Sequence, residues 1–475
     1  MDRTSEETAG SEETPNARRE PRLIDVAQII NDRKIGMFHV RLVTVSCLIT
    51  VFDGFDMMLI GFTAPYMRDE LAISTMQMGN IFSAGMFGAM IGAFLISNLG
   101  DRIGRRPTVV LCAYVFGALT FLTGFARSYE TLMLMRFIDG VAIGGMLPLA
   151  WALNIEYVPD RFRSTVVTLV MIGYSIGSTV SGPVTVWLAP HFGWEAVFFF
   201  GGTATLICAA LLHFELPESL RFLVSKNRPR SQIAGALKRI APEISAGPND
   251  RYIVGDETEA PKNFTVASLF EGWLRWLTPL LWLGYFISSL AIIFQSSWGP
   301  ILLEDLSFDR NTAALASSLS SILGAGAGLS LMRFTDRIGP KAVAFYPVIT
   351  IPVLLAIGFA PMPQIALLWM IILASTLIAG AHFGILSIIG VYYPTTIRAN
   401  GSGWATTVAK TGSVIGPIIG AAILSSGMPL IHTFSLLAVC PAVLALCATG
   451  IAAIVKRNKK EQQQKPPAIG LAQQS

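Results

Sequence analysis

The chain alternates long apolar runs with short polar joints. Twelve runs meet or approach the roughly 20 residues that carry a helix across a bilayer. They lie at 40–63, 76–98, 107–126, 131–156, 166–189, 196–214, 276–300, 312–332, 342–360, 364–391, 403–426 and 430–455. Each is apolar on all sides. That pattern predicts helices, because a membrane barrel needs strands of about 10 residues that alternate apolar and polar positions. Gly85, Gly88, Gly92, Gly144, Gly145 and Pro148 interrupt the runs without arguing against helix. Membrane helices tolerate such residues, and small side chains let neighbouring helices approach closely. Three polar stretches frame the pattern: 1–39, 215–271 and 456–475. Residues 24–30 (IDVAQII) read as a short interfacial helix, and 215–271 reads as a linker with room for short helices. Residues 1–22 and the tail 456–475 are predicted to be disordered, because they have little apolar surface to bury.

Composition agrees. Of 475 residues, 52% are hydrophobic and 14% charged, against about 25% charged in soluble domains. The three polar stretches hold 36 of the 66 charged residues. The rest are too few to cover a water-facing surface, so the chain is a polytopic membrane protein. A soluble enzyme, a nucleic-acid binder and a secreted disulfide scaffold are excluded. The five cysteines (Cys47, Cys112, Cys208, Cys440 and Cys447) are odd in number, lack a CxxC pair and lie in apolar runs, as small packing residues do. The first apolar run is long enough to span, so it reads as an uncleaved anchor.

Lys and Arg set the expected orientation. With both termini in the cytoplasm, the outward joints hold only Arg68, Arg127 and Arg310, while nearly all other cations fall at the inner face, as the positive-inside rule asks.

The chain also repeats itself. Asp101-Arg102-Ile103-Gly104 recurs as Asp336-Arg337-Ile338-Gly339, and Pro159…Arg163 recurs as Pro394…Arg398, both at an offset of 235. Gly182-Pro183 matches Gly416-Pro417 at 234. Each match falls at the same place in its half, which argues for duplicated six-helix bundles, a known transporter plan. The expected organisation is an N-terminal segment (1–39), a first bundle (40–214), a linker (215–271), a second bundle (272–455) and a tail (456–475).

The loop NLGDRIGRRPTVV (98–110) resembles the signature loop of the major facilitator superfamily, and GYSIGSTVSGP (173–183) resembles its Gly-Pro motif. A narrower resemblance lies in DGFDMMLIGFTAP (53–65), RFIDGVAIGG around Arg136, EYVPDRFRST (156–165), HFGWEAVFFF (191–200) and YYPTTIRANGSG (392–403). Together these are similar to the aromatic acid:proton symporters. PESLRFL (217–223) echoes the sugar porters more widely. The chain departs from the symporter pattern at Lys410, where the family has Arg, at Leu147-Pro148-Leu149, where it has Met-Pro-Asn, and at His382, where it often has an amide.

An ionisable side chain inside the membrane costs several kcal/mol, so by default it marks function. Asp53 and Asp56 are three residues apart, on one face of the first span. Two neighbouring carboxylates in a low dielectric cannot both ionise cheaply, so they are the candidate proton carriers; the plainer reading is a salt bridge with Arg136 or Arg41. Arg136, in the fourth span, suits a substrate carboxylate because a guanidinium donates two parallel hydrogen bonds, with Asp139 as a competing partner. Lys410 is the candidate anion anchor of the second half. His382 is a candidate to bond substrate, to relay protons or simply to pack. Phe55, Tyr174, Trp298 and Trp404 are the candidate ring-stacking residues, with Trp151, Phe294 and Phe383 also in reach. The resemblance makes Asp101, Arg102, Arg105, Glu156, Arg163, Asp336, Arg337 and Arg398 a gate at the cytoplasmic helix ends.

The expectation is therefore an all-α membrane protein with twelve transmembrane helices in two six-helix bundles, the major facilitator fold. By resemblance it is a monomeric, proton-coupled importer of a benzoate-type or lignin-derived aromatic acid in the bacterial inner membrane. Its partners are that acid, protons and the bilayer, with no nucleic acid, no cofactor, no metal and no enzyme chemistry. The alternatives are a carrier of another organic anion or a sugar, an efflux pump, or a sensor that has lost transport.

Overall fold

A computed structural model describes residues 22–242, 250–255, 265–394 and 397–464. Within them twelve helices are long and apolar enough to cross a membrane, and each of the twelve apolar runs has become one. The first six spans are α2 (Met37–Glu70), α3 (Thr75–Ile103), α4 (Arg105–Thr123), α5 (Tyr129–Tyr157), α6 (Arg163–Phe192) and α7 (Glu195–Glu215), after a short α1 (Val26–Asn31). Two small helices, α8 (Leu220–Ser225) and α9 (Arg230–Ile240), follow in the linker. The second six are α10 (Leu274–Asp305), α11 (Arg310–Ile338), α12 (Phe345–Phe359), α13 (Gln364–Tyr392), α14 (Arg398–Ser425) and the pair α15 (Leu430–Leu437) and α16 (Val439–Gln464). The break in the twelfth span has a local cause. Pro441 has no N–H to bond the carbonyl four residues back, at Leu437, and the helix restarts around it.

Caps explain where helices begin. Ser74 and Gln77 form a reciprocal capping box at α3, Ser128 accepts from Thr131 N–H at α5, and Asp309 accepts from Thr312 N–H at α11. Each satisfies amides that the first helical turn leaves without partners. The Thr312 bonds also hold the exposed Asp309 carboxyl below its ordinary range.

The repeat is visible in three dimensions. In the first half α3 packs along α5, α2 along α6 and α4 along α7; in the second, α11 packs along α13, α10 along α14 and α12 along α15 and α13. Gly104 (φ +119) and Gly339 (φ +81) both end a helix with left-handed backbone that favours glycine. Arg163 and Arg398 both open a helix and donate back to a carbonyl at the end of the preceding one, Ile155 O at 3.1 Å and Tyr393 O at 3.3 Å. There the guanidinium meets the negative helix end. Glycines bring α3 and α5 into backbone contact: a Cβ at Gly88, Gly92, Gly140 or Gly144 would overlap the facing helix.

The halves meet through α3 with α14, α6 with α11 and α2 with α10. The close contacts lie toward the end away from the termini. There a Cβ on Gly79 would meet Ala421, and one on Gly182 would meet Ser318; Ser83 Oγ donates to Val414 O at 2.7 Å. Among the described residues, two ion pairs join the halves at the same end, Arg68–Asp305 at 3.4 Å and Arg310–Asp69.

Two features add to the sequence reading. Residues Leu23–Asp25 pair in parallel with Arg251–Ile253, so the N-terminal segment is tied to the linker by two short strands, β1 and β2. Asp25 then caps α1 by accepting from Ala27 N–H at 2.9 Å. The tail expectation needs a correction for its first part, since α16 runs on to Gln464. Its Lys, Arg, Glu and Gln residues are good helix formers, and Arg457 pairs with Glu461 one turn on at 2.8 Å. The disorder expected of residues 1–21 and 465–475 lies outside the described residues.

Candidate functional site

At the boundary between the halves, α2, α5 and α6 face α10, α11 and α13 around a cavity of about 330 Å³. That is a size suited to a small organic ligand. Its wall is apolar and aromatic where Met57, Trp151, Tyr174 and Phe383 contribute, and polar where Gln295, His382 and a set of serines do. None of the described lining residues is Lys, Arg, Asp or Glu. The Trp151 indole N–H is buried and has no partner among the described residues. His382 sits between Tyr285 and Phe383, with ring centroids 5.7 and 6.1 Å away, and its Nδ1 lies 3.1 Å from Ser288 Oγ.

A cluster of charged groups adjoins this wall. Arg136 is buried and holds Asp56 with two parallel bonds, Nη1 to Oδ2 at 2.9 Å and Nη2 to Oδ1 at 3.1 Å. Its Nη2 also reaches Asp139 at 2.9 Å, and the guanidinium lies 5.8 Å from the Phe198 ring centroid. Thr120 donates to Asp56 at 3.2 Å. A second, small cavity of about 60 Å³ contains this cluster, and Met57 lines both cavities. Met57 therefore stands between the larger chamber and Arg136. Asp53, one turn back along α2, is different. It is buried, its Oδ2 accepts no hydrogen bond among the described residues, and the cation acting on it is Lys410 from the other half. Lys410 is half-buried, and its Nζ lies 3.4 Å from Ala89 O on α3. Tyr174, on the cavity wall, feels the Asp53 charge. Two carboxylates that share a helix face are thus in separate settings: Asp56 is clamped by Arg136, and Asp53 is buried with an oxygen that no described group bonds.

The profile of the Major Facilitator Superfamily matches residues 46–387 and 281–473. The chain belongs to that superfamily. It is 33% identical over 430 residues to a gallate transporter of Pseudomonas putida, covering 90% of this chain and 95% of that protein. It is 30% identical over 435 residues to a 4-hydroxybenzoate transporter of Acinetobacter baylyi, covering 91% and 95%. Two solved structures share the fold at 15% identity. One is an inward-facing, unoccupied bacterial homologue of the human lysosomal transporter Spinster, with a TM-score of 0.65 over 92% of this chain and 100% of that one. The other is a partially occluded, inward-open form of the xylose transporter XylE of E. coli, with 0.67 over 86% and 97%. Membership bears out the superfamily recognition, the twelve-helix fold and the expectation of a carrier rather than an enzyme.

Within this superfamily fold, the sequence-predicted residues fall into three groups. Tyr174 and His382 line the larger cavity, with Trp151 and Phe383. Asp53, Asp56, Arg136 and Lys410 are not on its wall, and Arg41 is exposed on the first turns of α2. Phe55, Trp298 and Trp404 are not on the cavity wall. Phe55 packs toward Phe200 at 6.1 Å. Trp298 is buried, bonding Pro417 O at 3.1 Å and meeting Phe82 edge-on. Trp404 is 41% exposed and stacks on Trp282 at 6.4 Å. Phe294, also considered, is buried off the wall. Helical spacing cannot separate these faces, because apolar runs are apolar all round.

The predicted gate residues cluster at the end that carries the termini. Arg105 pairs with Glu156, Asp101 acts on Arg105, and Arg163 pairs with Asp160 at 2.7 Å. Arg102 and Arg337 are exposed, Arg398 makes the carbonyl bond already described, and the Asp336 side chain lies outside the described residues. The residue that organises this network was not singled out from sequence. Glu218 accepts from Arg105 N–H at 3.0 Å and Arg106 N–H at 3.2 Å, so it serves as the missing N-cap of α4. A Cβ on Gly104 would overlap its carboxylate. The signal lay in PESLRFL, whose Glu follows the sixth span where the chain turns back to the Gly104 loop.

Proposed function

We propose that the chain is a proton-coupled importer of aromatic carboxylates that works by alternating access between its two bundles. The observation that carries this reading is Asp53, a buried carboxylate with an unpartnered oxygen, within electrostatic reach of Lys410 of the other half, next to Tyr174 of a ligand-sized cavity. The gallate and 4-hydroxybenzoate transporters among its relatives support an aromatic acid as cargo. The distribution of Lys and Arg supports both termini lying in the cytoplasm of a bacterial inner membrane. With the halves joined at the opposite end, the present conformation then faces inward.

Charge balance supplies the coupling. Without cargo, Asp53 and Lys410 neutralise each other. A proton on Asp53 leaves Lys410 uncompensated, and the substrate carboxylate then restores neutrality. Counted over Asp53, Lys410, the proton and the cargo, both the unloaded site and the site holding proton and anion are neutral, so both rearrange readily. A site holding only one of the two carries a net charge into the membrane interior, which is costly. Arg136, held by Asp56 and Asp139, maintains the far part of the first bundle and leaves Asp53 as the proton carrier. Trp151, Tyr174 and Phe383 flank the ring of the acid. Transport of a monoanion with one proton moves no net charge, so it responds to the pH gradient and not to the voltage term of about 2.3 kcal/mol per charge at 100 mV.

Uptake of labelled protocatechuate and vanillate into proteoliposomes, with and without an imposed pH gradient, tests the proposal. Acid-driven accumulation that an uncoupler abolishes is the expected result. Uptake indifferent to the uncoupler removes the symport; uptake of xylose in place of either acid removes the cargo class.

A further inference from the structure

Away from the central chamber, two cavities adjoin where the N-terminal segment, the linker and α2 meet. The first, of about 680 Å³, is lined by Asp32, Arg33, Lys34 and Gly36 from the joint before α2 and by Arg239 and Ile240 from α9. Three cations thus stand against one carboxylate, an excess of two positive charges. The N-cap of α2, Gly36, gives it no side-chain hydrogen bond among the described residues, so the positive end of the helix adds to the same field. The joint is held in place from α5 and α6. Asn31 and Asp160 exchange two hydrogen bonds, at 3.2 and 3.0 Å, and Arg161 Nη2 donates to Arg33 O at 3.2 Å.

The second, of about 380 Å³, is an apolar groove between α2 and α6, with Val40, Val43, Thr44, Thr165 and Leu169 on its walls. His39 lines both cavities, so they adjoin at its ring. That ring is already committed: Nδ1 accepts from Gly36 N–H at 3.1 Å, which leaves Nε2 to donate to Tyr157 O at 3.1 Å. It is a partition and not a ligand. Lys34 is exposed, and so are the apolar Ile35, Met37 and Val40 that follow it. Exposed apolar side chains on the first turns of a spanning helix meet lipid, so the cations lie at headgroup level and the groove descends among the acyl chains.

We infer that these two cavities form a binding site for an anionic phospholipid, with the phosphodiester among Arg33, Lys34 and Arg239 and one acyl chain in the groove between α2 and α6. Guanidinium and ammonium groups give phosphate oxygens charge-assisted hydrogen bonds, and basic pockets at the bilayer surface recognise anionic headgroups. A soluble phosphate gains nothing from the groove. A zwitterionic lipid brings its own cation into a pocket that already holds an excess of positive charge. The lining comes entirely from the N-terminal segment, the first bundle and the linker, so a lipid here fastens the linker to that bundle whichever way the halves face. The inference is independent of the cargo the carrier moves.

The test is native mass spectrometry of the full chain in detergent, titrated with phosphatidylglycerol and with phosphatidylcholine of identical acyl chains. The wild-type chain is expected to retain the first about tenfold more tightly than the second. Replacing both Lys34→Gln and Arg239→Gln is expected to bring the two lipids within about threefold of each other. Replacing Lys456→Gln and Arg457→Gln, two exposed cations at the same end of the molecule on α16, is expected to leave the preference intact. Thr165→Trp, which fills the groove, is expected to weaken retention of both lipids, and glycerol 3-phosphate is expected not to displace phosphatidylglycerol. Equal retention of the two lipids by the wild type overturns the inference, and so does an equal loss of preference in the α16 pair, which would reveal only diffuse attraction to basic residues. Displacement by glycerol 3-phosphate, or undiminished retention by Thr165→Trp, overturns the assignment to a lipid. Should a variant fail to fold, the wild-type ratio and the displacement experiment decide the matter.

Discussion

Replacing Asp53 by Asn separates net transport from exchange. Under the proposed coupling, Asp53 compensates Lys410 when no cargo is bound. In the variant, Lys410 has no opposing carboxylate at that position, so the unloaded site carries one net positive charge. Placing an unpaired charge at the centre of a membrane helix costs about 2.5–3.5 kcal/mol on insertion scales. At about 1.4 kcal/mol per factor of ten, the return of the unloaded carrier slows roughly a hundredfold. The loaded site is neutral in the variant, since Lys410 meets the substrate carboxylate, so the loaded carrier still crosses. Counterflow in proteoliposomes preloaded with unlabelled acid is therefore expected to persist. Accumulation driven by a pH gradient is expected to vanish; in the wild type, one pH unit supports about tenfold accumulation for one proton per anion. Lys410→Met is expected to lose both, because the loaded site becomes anionic. An Asp53→Asn chain that still accumulates substrate tenfold across one pH unit would refute the reasoning.

Arg136→Met leaves Asp56 and Asp139 buried without their shared guanidinium, and the expected loss is about 3–5 kcal/mol of stability, read as a lower thermal midpoint of the purified chain in detergent. Glu218→Ala removes the acceptor that caps α4 and is expected to cost about 0.5–2 kcal/mol, with Glu218→Gln retaining most of it in the same assay. Arg310→Ala breaks the pairs to Asp69 and Glu304 at the closed end. These groups are partly exposed and screened, so about 1 kcal/mol is at stake; spin labels at Leu71 and Leu306 are expected to show the wider distance populated several-fold more often, and an unchanged distribution would show that the pairs do not hold that end shut.

The sequence by itself determined the number of spans, their approximate limits and the twofold repeat. Runs such as 364–391 leave no choice, since only a helix satisfies its own backbone in lipid. The Gly104 and Gly339 turns were legible because helix-end geometry is local, and a matched tetrapeptide reports it. The sequence also identified Asp53, Asp56, Arg136 and Lys410, because charge inside an apolar run stands out by its cost.

Tertiary structure alone decided what those groups do for one another. One-dimensional spacing put Asp53 and Asp56 on the same face, yet packing gave Asp56 to Arg136 and left Asp53 without such a bond, under the influence of Lys410, 357 positions along the chain. It set Phe55, Trp298 and Trp404 off the cavity wall, although they look no different from Tyr174 in an apolar run, since facing is fixed by neighbouring helices and not by the residue. It also brought Glu218 to the start of α4 and Ser288 behind His382. Hydrogen bonds between distant segments leave no periodic trace in sequence. Their partners are chosen only when the helices meet.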